Sequence, residues 1–200
     1  MSITTVFFDW GGVIAPDPGD DFLSSLLKRI GATDDQIKEI FETYMSRFTR
    51  GQITDQQYWE ELRKNYGFVI SDSMSDEFRK WRGLVADENI MKLVHDLKKR
   101  DIKVALFTNV IEPSYDLIKQ AGYYSEFDEV IASCKVGYGK PDQEIYEIAL
   151  QKMHTTAQES LFIDDKQAFL DPAIRMGFQT ILATNSEQII RDVESLLLGS

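Results

Sequence analysis

Four short polar motifs in this sequence each follow an apolar run and carry groups suited to phosphate and metal chemistry. They are Asp9-Trp10-Gly11-Gly12, Thr108-Asn109, Gly137-Tyr138-Gly139-Lys140-Pro141 and Asp164-Asp165. Carboxylates that converge in a partly buried place favour a hard cation such as Mg²⁺. A lysine, a threonine hydroxyl and glycine-loop amides add donors for a phosphate. Together the motifs predict a site for a divalent cation and a phosphate ester.

Each motif taken alone also has an ordinary structural interpretation. Asp9 is of a type that often caps a helix or forms a turn, and Asp164-Asp165 can simply open the next helix. Thr108-Asn109 is common turn chemistry, and a single lysine such as Lys140 is usually a solvated surface charge. The functional interpretation depends on the order of the four motifs, each of which follows a predicted strand.

Five apolar runs predict the strands that position these motifs, and helical stretches alternate with most of them. The runs are Thr5–Phe8, Lys103–Phe107, Glu129–Ala132, Ser160–Ile163 and Gln179–Ala183; the stretches are Glu88–Lys99, Ser114–Ala121, Asp142–Met153, Phe169–Met176 and Ser186–Leu198. Nearly unbroken runs are typical of strands buried on both faces of a parallel sheet. The alternation indicates an α/β fold, Rossmann-like and three-layered. Ligands of such sheets bind beyond the carboxyl ends of the strands, so the four motifs are expected at one rim.

A helical insertion is predicted directly after the first strand. Between Ile14 and Asp87 the sequence carries amphipathic stretches and no second apolar run; the predicted helices are Asp21–Ile30, Ile37–Phe48, Tyr58–Tyr66 and Ser75–Trp81. Two capping boxes, at Thr33 to Gln36 and Thr54 to Gln57, mark helix starts. We therefore predict an α/β core of residues 1–15 and 86–200, interrupted by an all-helical cap of residues 16–85.

The composition narrows the class of protein. The 200 residues are 43% hydrophobic and 28% charged, with a formal net charge of −11. An acidic chain repels phosphate backbones and anionic lipids, which argues against nucleic-acid and membrane partners. A single cysteine, Cys134, forms no intramolecular disulfide, and we expect a reduced, cytoplasmic setting.

The four motifs resemble those of the haloacid dehalogenase superfamily of aspartate-nucleophile phosphohydrolases, in the same order and across the whole chain. The matching stretches are Phe7–Ile14, Phe107–Asn109, Val136–Tyr146 and Phe162–Asp165, with Gly177 downstream. The helical insertion is similar to the family's cap between its first and second motifs. The resemblance is greatest to the small-cap branch, which includes sugar-phosphate phosphatases and the phosphatase domain of soluble epoxide hydrolases.

The resemblance implies a role for each motif. The site residues that it implies are Asp9, Gly11, Thr108, Asn109, Lys140, Asp164 and Asp165. Asp9 would attack phosphorus and form an aspartyl-phosphate. Mg²⁺ would be held by Asp9, Asp165 and the Gly11 carbonyl, with Asp164 in support. Thr108 and the Asn109 amide would bind phosphate oxygens, and Lys140 would neutralise the nucleophile and the phosphoryl group. Like-charge repulsion between a carboxylate and a phosphate dianion requires such cations independently of the resemblance.

Two positions depart from the family pattern. Gly11 stands where most of these phosphatases carry a second aspartate as general acid and base, and Phe169 stands where an asparagine is common. Three alternatives follow from Gly11. The enzyme would favour phosphates with good leaving groups, such as anomeric sugar phosphates, or it would use Asp17 or Asp20 as the general acid. In the third alternative turnover is lost and the protein only binds its ligand. We expect retained activity. Asp171 is a possible polar replacement for the support that Phe169 removes.

The expected function is Mg²⁺-dependent hydrolysis of a small phosphate monoester, a phosphorylated sugar or similar metabolite. We expect Trp10 to lie at the entrance and stack on the substrate. Arg47 and Arg82 of the cap are candidates for reaching the substrate. Tyr58 and Trp59 are expected to pack inside the cap. Polar and aromatic cap candidates also include Tyr44, Arg50 and Trp81, while His95 and His154 are expected to be structural or solvated. One alternative is a metal-free 2-haloacid dehalogenase, against which Asp164-Asp165 counts. The other is a catalytically silent binding protein.

Overall fold

The computed structural model describes residues 2–17, 19–79 and 85–198, and it is built on a five-stranded parallel sheet. The strands are β1 Thr5–Phe8, β2 Lys103–Thr108, β3 Glu129–Ala132, β4 Ser160–Asp164 and β5 Gln179–Leu182. Their order in the sheet is β3-β2-β1-β4-β5. The predicted α/β fold with a parallel sheet is confirmed. β1 lies at the centre, between β2 and β4.

Alternation along the strands divides the core into two apolar layers, one on each face of the sheet. Val6 and Phe8 of β1 pack in one cluster with Leu106, whereas Phe7 packs in the other with Phe107. Successive strand residues point to opposite faces, so an unbroken apolar run covers both. Helices flank both layers: α6 Glu88–Lys99, α7 Glu112–Gln120 and α11 Ser186–Leu198 contribute to the first, and α9 Gln143–Met153 and α10 Gln167–Met176 to the second.

The insertion after β1 is helical and has its own apolar cluster. Its helices are α1 Gly19–Arg29, α2 Asp34–Glu39, α3 Ser46–Thr49, α4 Asp55–Tyr66 and α5 Asp72–Arg79. Both predicted capping boxes are present, with Thr33 and Thr54 accepting from the backbone of the third helical residue. Phe48, Tyr58 and Phe78 stack in the centre of the cluster. Among the described residues of the insertion there is no strand, as expected.

Several predicted boundaries differ from the structure. The stretch expected as one helix, Ile37–Phe48, contains a π-helical segment, Ile40–Met45, between α2 and α3. A short helix, α8 Ser133–Val136, has no counterpart in the prediction, and the helix expected at Ser75–Trp81 begins earlier, at Asp72, while its predicted end lies outside the described residues. None of the described helices is both long and apolar enough to cross a lipid bilayer. The division of the chain at residues 15/16 and 85/86 stays a prediction.

Candidate active site

The carboxyl ends of two neighbouring strands, β1 and β4, bring three acidic side chains together. Asp9 directly follows β1, Asp164 is the last residue of β4, and Asp165 comes next. β1 and β4 are hydrogen-bonded neighbours in register, with Phe8 opposite Ile163. Ligand oxygens of the three carboxylates lie within 4.8 Å of one another. The structure thus places the predicted acids in one cluster.

Lys140 reaches this cluster from the loop before α9. Its Nζ lies 3.1 Å from Asp9 Oδ1 and 2.6 Å from Asp164 Oδ2, and it donates to the Phe107 carbonyl at 3.0 Å. The side chain is completely buried. Nζ also lies 5.2 Å from the ring centroid of Phe169. Phe169 stands where the resemblance would place an asparagine, and its ring provides a π face to the ammonium group.

The Asn109 side chain holds the backbone of Lys140 rather than facing the cavity with both polar atoms free. Its Nδ2 donates to the Lys140 carbonyl at 2.8 Å, and its Oδ1 accepts from the Lys140 N–H at 2.8 Å. These two bonds fix the loop that carries the ammonium group. Asn109 therefore joins the end of β2 to the lysine loop.

Burial and the charge of Asp9 raise the pKa values of Asp164 and Asp165. Burial raises the pKa of Asp164 to about 6, and the charge of Asp9 adds to the rise while Lys140 opposes it. Burial is also the largest cause of the raised pKa of Asp165. For Lys140, burial favours the neutral amine, but the charges of Asp164 and Asp9 outweigh it and raise the pKa. The buried ammonium group thus pairs with two carboxylates, Asp9 and Asp164.

Three buried polar atoms at the same edge of the sheet lack a hydrogen-bond partner within the described part of the chain. They are the Thr108 hydroxyl, at the end of β2, Asp165 Oδ1, and Asp9 Oδ1, which among these residues has only the ion pair with Lys140. Buried polar atoms in proteins are nearly always paired, so such atoms indicate a ligand or ion that completes the site. A hydroxyl suits a phosphate oxygen, and a carboxylate oxygen suits a hard cation.

The donor set fits Mg²⁺. Three carboxylates meet, the buried oxygens Asp9 Oδ1 and Asp165 Oδ1 have no hydrogen-bond partner among the described residues, and oxygen is the ligand atom that this ion prefers. The chain comes very close to Asp165 at Gly12, whose φ is +75° and where a Cβ atom would lie 2.4 Å from the Asp165 carboxylate. Only glycine is compatible with this approach.

A cavity of about 410 Å³ opens between the cluster and the insertion. Asp9, Asn109 and Lys140 line its sheet side, and Phe41 and Met45 of the π-helical segment line its cap side. Asp17 also lines the cavity, whereas the side chain of Asp20 lies outside what the structure describes. The π-helical segment, which periodicity did not predict, thus forms part of the cavity wall.

The insertion is tied to the core beside this cavity. Arg50 donates to both carboxylate oxygens of Asp142, at 2.9 Å each, and Ser133 Oγ donates to the Thr49 carbonyl at 2.6 Å. The bond with Arg50 holds the pKa of Asp142 below its usual value. Asp142 was predicted only as a helix start. Its partner lies 92 residues away, so no local signal in the sequence identifies the pair.

The expected role of the Trp10 side chain is wrong. Trp10 is 1% exposed and packs against the ring of Tyr123, at 5.1 Å, in the apolar layer of the core. Asp9 turns into the site, and the next side chain turns to the opposite, apolar side. A buried indole in this position does not stack on a sugar.

Most of the other predicted cap contacts are internal to the insertion. Arg47 forms two hydrogen bonds with Glu61, and the Tyr44 hydroxyl accepts from Asn65. Tyr58 and Trp59 are buried in the insertion's cluster, as expected. Trp81 and Arg82 lie outside the described residues.

The remaining polar candidates lie on the surface. Asp171 is exposed and accepts from Gln167 on the same helix, so it does not replace the support that Phe169 removes. His95 pairs with Glu126 at 2.7 Å, and His154 is exposed at the end of α9. Both histidines are surface residues, in agreement with the prediction.

Three curated relatives align with nearly the whole chain. A sesquiterpene phosphatase, astK of Aspergillus oryzae, is 30% identical over 95% of this chain and 94% of its own length. A D-ribitol-5-phosphate phosphatase of Bacteroides thetaiotaomicron is 23% identical over 92% and 93%. Acyl-CoA dehydrogenase family member 10 of Mus musculus is 25% identical over 98% of this chain, which spans only 19% of that protein.

Solved structures share the fold. A HAD-like family hydrolase from Porphyromonas gingivalis superposes with a TM-score of 0.81 and 25% identity over 98% of both chains. A HAD family enzyme from Bacteroides thetaiotaomicron, solved in complex with magnesium and inorganic phosphate, superposes with a TM-score of 0.74 and 20% identity over 92% and 96% of the chains. The family model of haloacid dehalogenase-like hydrolases matches residues 3–177. This chain belongs to the haloacid dehalogenase-like hydrolase family.

Proposed function

We propose that this protein is a Mg²⁺-dependent phosphatase that hydrolyses a small phosphate monoester through an aspartyl-phosphate on Asp9. The observation that carries the proposal is the cluster of Asp9, Asp164 and Asp165, in which Asp9 and Asp164 pair with the buried Lys140 ammonium group. A carboxylate that attacks a phosphate dianion needs positive charge beside both reactants. Family membership and the two phosphatase relatives support the same reaction class.

Each member of the cluster has a proposed role. Asp9, Asp165 and the Gly11 carbonyl would hold Mg²⁺, which when bound supplies positive charge to the phosphate oxygens. Asp164 accepts from Lys140 Nζ at 2.6 Å and from the Lys166 N–H at 2.8 Å, so it orients the lysine and supports the metal site. Lys140 neutralises the charge on Asp9 and on the phosphoryl group.

The phosphate oxygens have two proposed partners at the end of β2. The unpaired Thr108 hydroxyl supplies one hydrogen bond. Because the carboxamide of Asn109 is occupied by the Lys140 backbone, the Asn109 backbone N–H is the amide that we assign to the phosphate. Trp10 and Gly11 contribute backbone groups to the loop next to the nucleophile.

The alcohol part of the substrate has two candidate classes. A sugar phosphate or similar polar metabolite follows from the resemblance to sugar-phosphate phosphatases, and the ribitol-phosphate relative supports it. The phosphate of an apolar alcohol is favoured by the apolar side chains that line the cavity, namely Phe41, Met45, Ile111 and Phe169. The sesquiterpene phosphatase relative supports this second class.

The test is phosphate release from 4-nitrophenyl phosphate and from a panel of sugar and isoprenoid monophosphates, with Mg²⁺ and with EDTA. We expect release that requires Mg²⁺ and is abolished in Asp9→Asn, while circular dichroism and thermal unfolding of the variant stay close to those of the unsubstituted protein. Asp171→Asn, a change of an exposed aspartate, is the matched control and should retain full activity. Preference within the panel decides between the two substrate classes.

Three outcomes would contradict the proposal. Folded, Mg²⁺-loaded protein without phosphate release from any ester would favour the silent binding protein. Chloride release from a 2-haloacid without Mg²⁺ would favour the dehalogenase. Appreciable turnover by Asp9→Asn would show that another residue is the nucleophile.

A further inference from the structure

Hydrolysis of an alkyl phosphate needs a proton for the departing oxygen, because an alkoxide is a strong base and leaves poorly. General acids accelerate such steps by about 10²–10⁴-fold. The acid must face the same cavity as Asp9. Among the described side chains, the other carboxyl groups that line the cavity belong to Asp17 and Glu42.

The two carboxyl groups differ in position and exposure. The Glu42 side chain is 66% exposed and lies 3.9 Å from Lys38 on its own helical segment. The Asp17 side chain is 8% exposed and lies on the loop that follows the nucleophile. A shielded carboxyl group that lines the cavity with the nucleophile is better placed to give a proton to the substrate than a solvated one on the cap.

The space beside Gly11 is occupied by the Asp17 side chain. A Cβ atom built on Gly11 would lie 3.1 Å from Asp17 Oδ2 and 3.2 Å from Asp17 Cβ and Cγ. The absence of a side chain at position 11 therefore makes room for the Asp17 carboxyl group. A side chain that started from position 11 would project into the same volume.

We propose that Asp17 is the general acid and base of this phosphatase, with its carboxyl group in the place that a side chain at position 11 would otherwise fill. The inference rests on the proposed function. It assigns the proton transfer to a residue on the loop after β1, because Gly11 has no side chain that could perform this step.

The proposed steps balance. Asp9 attacks phosphorus, the bond between phosphorus and the alcohol oxygen breaks, and the Asp17 carboxyl proton passes to that oxygen to release the alcohol. Water then attacks the aspartyl-phosphate, the Asp17 carboxylate takes a proton from this water, and the bond between phosphorus and Asp9 breaks. Ester and water give alcohol and inorganic phosphate, and both aspartates return to their starting states.

The decisive measurement compares two leaving groups in Asp17→Asn. The nitrophenolate ion leaves without a proton, whereas an alkoxide does not. We expect kcat/KM for a simple alkyl phosphate to fall by about 10²–10⁴-fold, and that for 4-nitrophenyl phosphate to change far less. Glu42→Gln is the matched control, and it should not lower kcat/KM for the alkyl phosphate more than for 4-nitrophenyl phosphate. Lys166, whose Nζ lies 3.8 Å from Asp17 Oδ2, is the competing proton donor and is tested as Lys166→Met.

A second variant tests the shared space directly. Gly11→Asp should impair the protein when Asp17 is present, because a Cβ atom at position 11 would lie 3.1–3.2 Å from the Asp17 side chain, which would have to shift to admit a second carboxyl group. Gly11→Asp combined with Asp17→Gly should restore part of the alkyl phosphatase activity that Asp17→Gly alone loses.

The results separate the two proposals. An equal loss for both esters in Asp17→Asn, or a selective loss in Lys166→Met alone, would overturn the assignment of Asp17 and leave the proposed function standing. Absence of phosphate release from every ester by the unsubstituted protein would overturn the proposed function and this assignment with it.

Discussion

The carboxyl edge of the sheet and the helical insertion use charged residues in opposite ways. At the edge, Lys140 and Asp164 are fully buried, and buried polar atoms of Thr108 and Asp165 have no partner among the described residues. In the insertion, Arg47 and Glu61 pair on a half-exposed surface. Arg50 donates hydrogen bonds to both carboxylate oxygens of Asp142.

The sheet edge holds two buried carboxylates against one buried ammonium group. Crowded buried charges are costly in the folded protein, and such costs concentrate at functional sites. In the insertion, Arg47 and Arg50 are paired with Glu61 and Asp142. We infer that the sheet edge performs the reaction and that the insertion supplies the cavity wall.

Lys140→Met has the largest expected effect and tests whether the buried ion pairs at the sheet edge differ in energy from surface ion pairs. Removal of one partner of a buried ion pair leaves uncompensated charge, so we expect the free energy of unfolding to fall by about 3–5 kcal/mol. Phosphate release should fall by at least about 10²–10³-fold, since the ammonium group stabilises charge in the transition state. Urea unfolding and initial rates measure the two effects.

Lys152→Met is the control for this prediction. Lys152 pairs with Glu129 on a partly exposed surface at 2.9 Å, and such pairs contribute about 0–1 kcal/mol. Comparable losses of stability in the two variants would show that the buried cluster is not energetically distinct from a surface ion pair.

Thr108→Val and Tyr58→Phe test whether an unpaired hydroxyl has a different role in the two regions. Each variant removes a buried hydroxyl that has no hydrogen-bond partner in the described structure; Thr108 lies at the sheet edge and Tyr58 in the insertion. Neither change removes a hydrogen bond within the described protein. We expect neither variant to be less stable, and either to gain up to about 1 kcal/mol. Thr108→Val should lower phosphatase activity by about 10²–10³-fold, as loss of an oxyanion donor does. Tyr58→Phe should leave activity unchanged. Equal activities of the two variants would contradict a special role of the Thr108 hydroxyl in phosphate binding.

Gly51→Ala has the smallest expected effect and tests the contact between the two regions. Gly51 has φ +66°, and a Cβ atom there would lie 2.3 Å from the Cys134 carbonyl oxygen. Displacement of the insertion from the core should lower kcat/KM by roughly tenfold, since misplacement by 1 Å costs up to about 10²-fold.

Gly67→Ala is the matched control for Gly51→Ala. Gly67 has a similar φ, +70°, but a Cβ atom there has nothing within 4 Å. Both variants bear the left-handed backbone cost of roughly 1–2 kcal/mol, which thermal unfolding measures. Only Gly51→Ala should also lose activity; an equal loss in Gly67→Ala would mean that the contact with Cys134 is unimportant.

Much of the fold is predictable because its signals are local. The five apolar runs correspond to the five strands, and the capping boxes at Thr33 and Thr54 correspond to two helix starts. The π-helical segment Ile40–Met45 was missed because hydrophobic periodicity does not distinguish a π turn from an α turn over so few residues.

The candidate site was predictable in part for a related reason. Parallel strands end at one rim, so residues that follow the runs converge whatever the details of packing. The burial of Trp10 and the bond between Arg50 and Asp142 depend on which distant surfaces meet. No short stretch of sequence encodes such contacts.

Local sequence patterns specify the strands, the helical insertion and the acids and lysine that follow the strands, because periodicity and strand-end position act over a few residues. The hydrogen bonds from Asn109 to the Lys140 loop and the position of Asp17 beside Gly11 arise only when the chain is folded. Both depend on side chains that the folded chain packs against one another, and the volume left for each is set by the surfaces around it.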